Sequence, residues 1–211
     1  MLPAAKAGTD PRYLGDCLVG PALAAELEPT DQDTLVEIGA FEQYVGPLVP
    51  FIRWRGLGYR EEDGQTLMNR VGASQDRMAM SEIWFISDTL LKPTEVRLLM
   101  RYADTSKDEK SVIGAIRLLA LQSESPCIMD WLLRQAERNE GNIRVEAARA
   151  LVYSSDPDGT VRNAIGRLAD AEKDANIRIR LALRDVVKLL DEKEEYIFPP
   201  VPVGVKKDDA P

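Results

Sequence analysis

Asn142-Ile143-Arg144-Val145-Glu146-Ala147-Ala148-Arg149-Ala150-Leu151 decides the fold, because it returns in weakened form 34 positions later. There the chain reads Asn176-Ile177-Arg178-Ile179-Arg180-Leu181-Ala182, and the alignment continues with Val186 on Val152. A fixed period of this size is the signature of a solenoid, in which each helix pair buries its apolar face only against its neighbours. A backward shift of 33 residues sets Val112, Ala115, Leu118 and Leu119 over Val145, Ala148, Leu151 and Val152. The first helix of each pair is therefore expected at 108–122, 142–154 and 176–192, with apolar residues at i, i+3, i+4 and i+7.

The intervening segments supply a second series. Pro93-Thr94-Glu95-Val96 opens one helix, carrying Val96, Leu99, Met100 and Ala103. Pro126-Cys127-Ile128-Met129 opens the next, carrying Met129, Leu132, Leu133 and Ala136, and Val161, Ala164, Ile165 and Leu168 continue the pattern. Proline suits a first helical turn, where its missing N–H has no helical partner to lose. Short polar connectors at 104–108, 139–142 and 154–159 contain capping residues and make successive helices antiparallel neighbours. A helix at 74–88 starts the array and pairs with 93–103. Trp84 and Trp131 sit among aliphatic residues at helical spacing and are expected in the core.

Outside the repeats the pattern changes. Tyr13–Leu27 and Thr34–Val45 read as helices with Pro29-Thr30-Asp31 as a break. From Gly46 to Asp63 the density of Gly and Pro predicts an irregular loop or short hairpin, with a helical turn or two at 66–71. Residues 1–70 thus read as a helical cap over the open face of the first repeat. Residues 71–195 form the repeat array. At 196–211, Phe198-Pro199-Pro200-Val201-Pro202-Val203-Gly204-Val205 predicts extended polyproline structure. That tail is read as free in solvent or, because of Phe198 and its valines, as a strap on its own array or on a partner.

Composition narrows the function classes. The 211 residues include 27 Lys and Arg, 35 Asp and Glu and no His, for a net charge of −8. An acidic whole disfavours broad phosphate binding, so nucleic acid is not the expected partner. The lack of histidine removes Ser-His-Asp and Cys-His nucleophiles and nearly all zinc sites, so no cofactor and no metal are expected. Cys17 and Cys127 are read as buried small apolar side chains. No apolar run reaches transmembrane length. The polar start predicts a cytoplasmic protein, while the small-x-small triplet Ala5-Lys6-Ala7 keeps export open as the alternative.

Asn142, Val145, Ala148 and Ala150-Leu151 resemble the first helix of short HEAT-like repeats of the phycobilisome-lyase type; Asn176, Ile179 and Ala182 resemble it less closely. Arginine is displaced to 144 and 178, and the likeness covers about 105–192. The resemblance implies an all-α solenoid of about three helix pairs plus a final helix, usually a scaffold or adaptor rather than an enzyme. Of the family's active branches, the hydroxylase needs His-Glu pairs that this chain lacks. The glycosylase needs a basic groove that −8 disfavours, and nothing marks a chromophore site for the lyase.

Two segments are candidate binding sites. Arg53-Trp54-Arg55-Gly56-Leu57-Gly58-Tyr59-Arg60 combines arginines with aromatics on a glycine-hinged loop, the make-up of an interaction hot spot. Its alternative reading is a plug: Trp54 and Tyr59 close the end of the array while the arginines stay in solvent. Arg144, Arg149, Arg162, Arg167, Arg178, Arg180 and Arg184 make 142–184 locally basic. They read first as a ladder of pairs with Glu146, Asp156, Asp158, Asp170, Glu172 and Asp174. The alternative is an anion-binding stripe, with Arg144, Arg149, Arg178 and Arg180 at its centre. Glu61-Glu62-Asp63 reads as a solvated turn. Three functions follow: a scaffold that binds a protein partner, a binder of nucleic acid or phosphorylated ligands, or an enzyme or accessory subunit of an enzyme.

Overall fold

The computed structural model describes residues 47–192 apart from 76, 140, 155, 157, 158 and 173–175. The expected helices at 13–27 and 34–45 and the tail with Phe198 lie outside the described residues, as do Asp158 and Asp174. What is described is all-helical, without strands. Nine α-helices run in order: α1 (Leu48–Gly56), α2 (Glu61–Ala73), α3 (Arg77–Phe85), α4 (Pro93–Thr105), α5 (Glu109–Leu119), α6 (Pro126–Arg138), α7 (Gly141–Ala150), α8 (Thr160–Ala171) and α9 (Ile177–Asp191). A π-helical turn, Ile86–Leu90, follows α3, and 3₁₀ turns at Ala120–Gln122 and Leu151–Tyr153 extend α5 and α7.

The ends of these helices follow from local chemistry. Asp108 caps α5, its carboxylate accepting from the Ser111 N–H at 3.0 Å and the Ser111 hydroxyl at 2.8 Å. Those bonds, the hydroxyl's above all, hold the Asp108 carboxyl below its ordinary pKa. Pro93 and Pro126 occupy the first turns of α4 and α6. Asp156 reaches forward to accept from the Val161 and Arg162 N–H groups at 2.9 and 2.8 Å, satisfying donors that open α8.

The irregular loop expected at 46–63 is a correction. That segment holds α1, a tight turn and the start of α2. Pro47 lies just before α1 and Pro50 within its first turn, where backbone N–H groups have no intrahelical partner, so neither proline breaks anything. Gly58 and Tyr59 take left-handed φ values of 75° and 64° and end α1, with the Tyr59 N–H donating to the Trp54 carbonyl at 2.9 Å. The punctuating residues mark the helix ends rather than the lack of a helix. Trp84 is half-buried rather than a core residue, and Cys127 in the first turn of α6 is exposed rather than buried, whereas Trp131 is fully enclosed.

The expected pairing of a helix at 74–88 with 93–103 is a correction: α2, not α3, is the helix packed on α4, and α3 lies against the π-helical turn and α5. Helices α2, α5, α7 and α9 touch in succession; α6 packs on α7, α8 on α9, and α6 also meets α8. One continuous core runs from Phe51 through Leu99, Ile116, Trp131 and Ile165 to Leu190. The closest helix approach is between α2 and α5. A Cβ on Gly72 would lie 1.9 Å from the Lys110 carbonyl oxygen, and one on Gly114 would lie 1.8 Å from that of Met68. The two backbones meet with no side chain between them, so this crossing requires glycine on both sides.

Polar ties join helices that are distant in the chain. Arg117 on α5 donates to the Ser74 carbonyl at 2.8 Å, just beyond α2, and to Glu146 of α7 at 2.9 Å. The Trp131 indole and the Gln135 amide of α6 donate to the Asp104 carboxylate near the end of α4, at 3.1 and 2.8 Å.

Candidate functional site

The Arg-Trp-Arg segment is placed inside the molecule. Trp54 is fully buried, edge-on to Tyr59 with ring centroids 5.3 Å apart and to Tyr102 at 6.4 Å. The Tyr102 hydroxyl donates to the Tyr59 carbonyl at 3.0 Å. Arg55 is also buried: its Nε donates to Glu95 Oε1 at 2.6 Å, and its Nη2 to Glu95 Oε2 at 2.7 Å and to the Leu90 carbonyl at 2.6 Å. Its guanidinium also stands 4.6 Å over the Phe51 ring. Glu95 accepts in addition from the Lys92 N–H at 2.8 Å, closing the first turn of α4. Burial pushes the Tyr59 phenol above its ordinary range; the neighbouring Glu95 carboxylate adds to the shift and Arg55 opposes it.

Of the two readings of this segment, the aromatic plug is therefore the nearer, with a correction: Arg55 is not in solvent. Arg53 lies 3.0 Å from Asp63, which is itself buried, so Asp63 is not part of a solvated turn either. Arg60 is exposed at the start of α2. The sequence reading missed Glu95. Its signal was its place two residues after Pro93, at the third position of a helix, where a carboxylate reaches back to the cap.

The arginine series divides the same way. Arg144 donates to the Ala136 carbonyl at 3.0 Å and pairs with Glu172, so it ties the ends of α6 and α8 together. Arg149 lies 3.8 Å from Glu146, Arg184 lies 3.6 Å from Asp170, and Arg162 pairs with Asp191. The Arg162–Asp191 pair raises the arginine pKa and lowers that of the aspartate, through their hydrogen bond first. The Arg144, Arg162 and Arg184 pairs are rungs between helices, whereas Arg149 and Glu146 lie within α7. Arg178 occupies the repeat position of Arg144 but is exposed, and Arg180 is half-buried on α9.

A different surface gathers equivalent repeat positions. A cleft of about 500 Å³ is lined by Glu109, Gly141, Asn142, Ile143, Asn176 and Ile179. Glu109, Asn142 and Asn176 stand at the heads of α5, α7 and α9 and share one place in the repeat, Glu109 being 33 residues before Asn142. Asn142 Nδ2 donates to the Glu109 carboxylate at 2.9 Å, and Asn176 Nδ2 donates to Glu172 at 3.1 Å. Each amide thus spends one N–H on a carboxylate, which orients its carbonyl oxygen and second N–H for another partner. Ile143 and Ile179 supply apolar walls. In the sequence the two asparagines mark the period, the repeat resemblance and a helix start, and none of these points to a shared cleft. Glu109 was within reach of the same alignment, but its different side chain hid the equivalence.

Among the described residues no three His, Cys, Asp or Glu side chains group as a metal-ligand set, and no helix is long and apolar enough to cross a membrane. Comparison with family models, curated proteins and solved structures finds no match to this chain.

Proposed function

We propose that the chain is a non-catalytic, protein-binding scaffold: a short HEAT-like solenoid that holds an extended segment of a protein partner in the cleft at the heads of α5, α7 and α9. One observation carries this reading. Three equivalent repeat positions, Glu109, Asn142 and Asn176, line a single cleft with half-buried isoleucines between them. An extended peptide offers alternating backbone donors and acceptors, and side-chain amides can satisfy both. Apolar walls at Ile143 and Ile179 accept side chains from the same peptide. The Glu109 carboxylate favours a neutral or basic segment over an acidic one. The arginines of this region support the reading indirectly, since Arg144, Arg162 and Arg184 pair with carboxylates on a neighbouring helix or at its end.

The test is selection of peptides from a random display library on the full chain, followed by titration against Asn142→Ala/Asn176→Ala. Selected peptides should bind the double variant at least about tenfold more weakly, as expected when two or more hydrogen bonds of roughly 1 kcal/mol each are lost. Failure to enrich any peptide, or equal binding to the double variant, rejects the proposal.

A further inference from the structure

Helices α4, α6 and α8 share one exposed residue that packing does not explain. With 93–105, 126–138 and 159–171 set in register, only two of the thirteen positions hold the same residue in all three segments. One is alanine, at Ala103, Ala136 and Ala169, and all three are buried, which packing accounts for. The other is arginine, at Arg101, Arg134 and Arg167, and all three are exposed. An acid follows each arginine in the next turn: Asp104, Glu137 and Asp170. Two of those acids tie helices together. Asp104 accepts from Trp131 and Gln135 of α6, and Asp170 lies 3.6 Å from Arg184 of α9. The arginines do no comparable work. Among the described residues none of the three joins an ion pair, and the one contact of their guanidiniums is that of Arg101, 5.2 Å from the ring centroid of its own neighbour Tyr102.

We propose that this row docks an acidic segment of a protein partner, laid across α4, α6 and α8. The bonds from Trp131 and Gln135 to Asp104 join α6 to α4, and α6 touches α8, so the arginines stand on adjacent helices at one repeat position. Packed helix axes lie about 8–10 Å apart, and a guanidinium recurs at about that interval. An extended, polyproline-like chain advances about 3.1 Å per residue, so every third side chain returns to the row after about 9 Å. A carboxylate at those positions fits the planar fork of arginine, which donates two parallel hydrogen bonds to it. Docking breaks no internal ion pair, because these guanidiniums have none. The row is separate from the cleft at the heads of α5, α7 and α9, which none of the three arginines lines.

A nucleic acid or an anionic membrane fits this face less well. A nucleic-acid strand carries a charge about every 3.4 Å, and an anionic membrane is charged across its whole surface. Either would press negative charge against Asp104, Glu137 and Asp170, each a near neighbour of a row arginine on its own helix. The net charge of −8 adds to that repulsion. A single peptide chain whose carboxylates coincide with the arginines leaves the acidic row to one side.

The experiment is fluorescence anisotropy on the full chain with a labelled peptide of repeating Glu-Ser-Pro, which places a carboxylate at every third residue. The peptide should bind at low ionic strength and weaken as salt is added. Arg101→Gln/Arg134→Gln/Arg167→Gln should bind it at least about fivefold more weakly, with the melting temperature of the parent. Arg149→Gln/Arg178→Gln/Lys188→Gln makes the same change in net charge and should bind as the parent does. So should the cleft variant Asn142→Ala/Asn176→Ala, which separates the row from the cleft. No binding to the parent, or an equal loss in either of those two variants, overturns the row. Equal binding of a peptide with the same number of glutamates in one block overturns the spacing and the row with it. A lower melting temperature in the row variant makes the arginines structural and equally overturns the proposal. Tighter, row-dependent binding of a single-stranded oligonucleotide or of phosphatidylserine vesicles overturns it in favour of that occupant.

Discussion

Removing the Glu95 carboxylate is the sharpest test of how the N-terminal helices are held to the rest. Its side chain is fully buried and that of Arg55 is 3% exposed, with two hydrogen bonds of 2.6 and 2.7 Å between them. Glu95→Ala leaves a guanidinium enclosed with one carbonyl acceptor, from Leu90, and a ring face, from Phe51. Breaking a buried pair from one side costs about 3–5 kcal/mol, because the survivor is desolvated without compensation. Loss of the bond from the Lys92 N–H falls within that range. At a urea dependence of about 2 kcal/mol/M, the unfolding midpoint should drop by roughly 2 M. Arg55→Met/Glu95→Leu removes both charges and fills similar volume, so it should be more stable than Glu95→Ala alone. Urea unfolding followed by far-UV circular dichroism measures all the variants, with Arg55→Met completing the cycle. The reasoning fails if Glu95→Ala costs less than about 1 kcal/mol, or if the double variant costs the sum of the two single ones.

Three further outcomes follow from the packing. Gly72→Ala or Gly114→Ala should destabilise by about 2 kcal/mol or more, because the new Cβ meets backbone at under 2 Å. Gly166→Ala, in a helix interior with nothing within 4 Å, should instead stabilise by about 0.5–1 kcal/mol, and thermal melts distinguish the two signs. Trp54→Ala should cost about 3–5 kcal/mol in the same unfolding assay, since the indole is fully buried. Asp108→Ala should cost about 0.5–1 kcal/mol at pH 7. The Asp108 pKa is lowered on folding from its usual 3.8, so its stabilisation is complete above that value and fades as pH falls through the folded one. The variant and the parent should therefore converge in stability below about pH 4, whereas Asp108→Asn, which keeps a capping acceptor, should follow the parent at pH 7.

The helices of the repeat were legible because each carries its own apolar stripe, and several open on a local signal: Pro93, Asp108, Pro126 and Asp156. The three first helices and the three second helices lie at the expected positions, to within a few residues at the ends. The segment at 46–63 was misread because Gly and Pro were counted without regard to position. Pro50 falls in a first turn and Gly58 just past a helix end, so both are compatible with helix on either side. The cleft was half legible: Asn142 and Asn176 were visible as a repeat, but that they line one surface depends on how α7 and α9 lie side by side.

The sequence by itself determined the period, the helical class and the faces that turn inward, since those rest on local spacing and on the burial of Leu, Ile, Val and Ala. Tertiary structure alone decided which charges are inside. Arg55 and Glu95 are 40 residues apart. Nothing local separates a solvated arginine from one whose partner arrives from another helix, and only the packing of α1 against the start of α4 brings that partner within hydrogen-bonding distance. The same holds for Gly72 and Gly114, whose need for glycine exists only because two backbones cross there. Contact between distant segments is set by the sum of many packed faces, and no single stretch of residues records it.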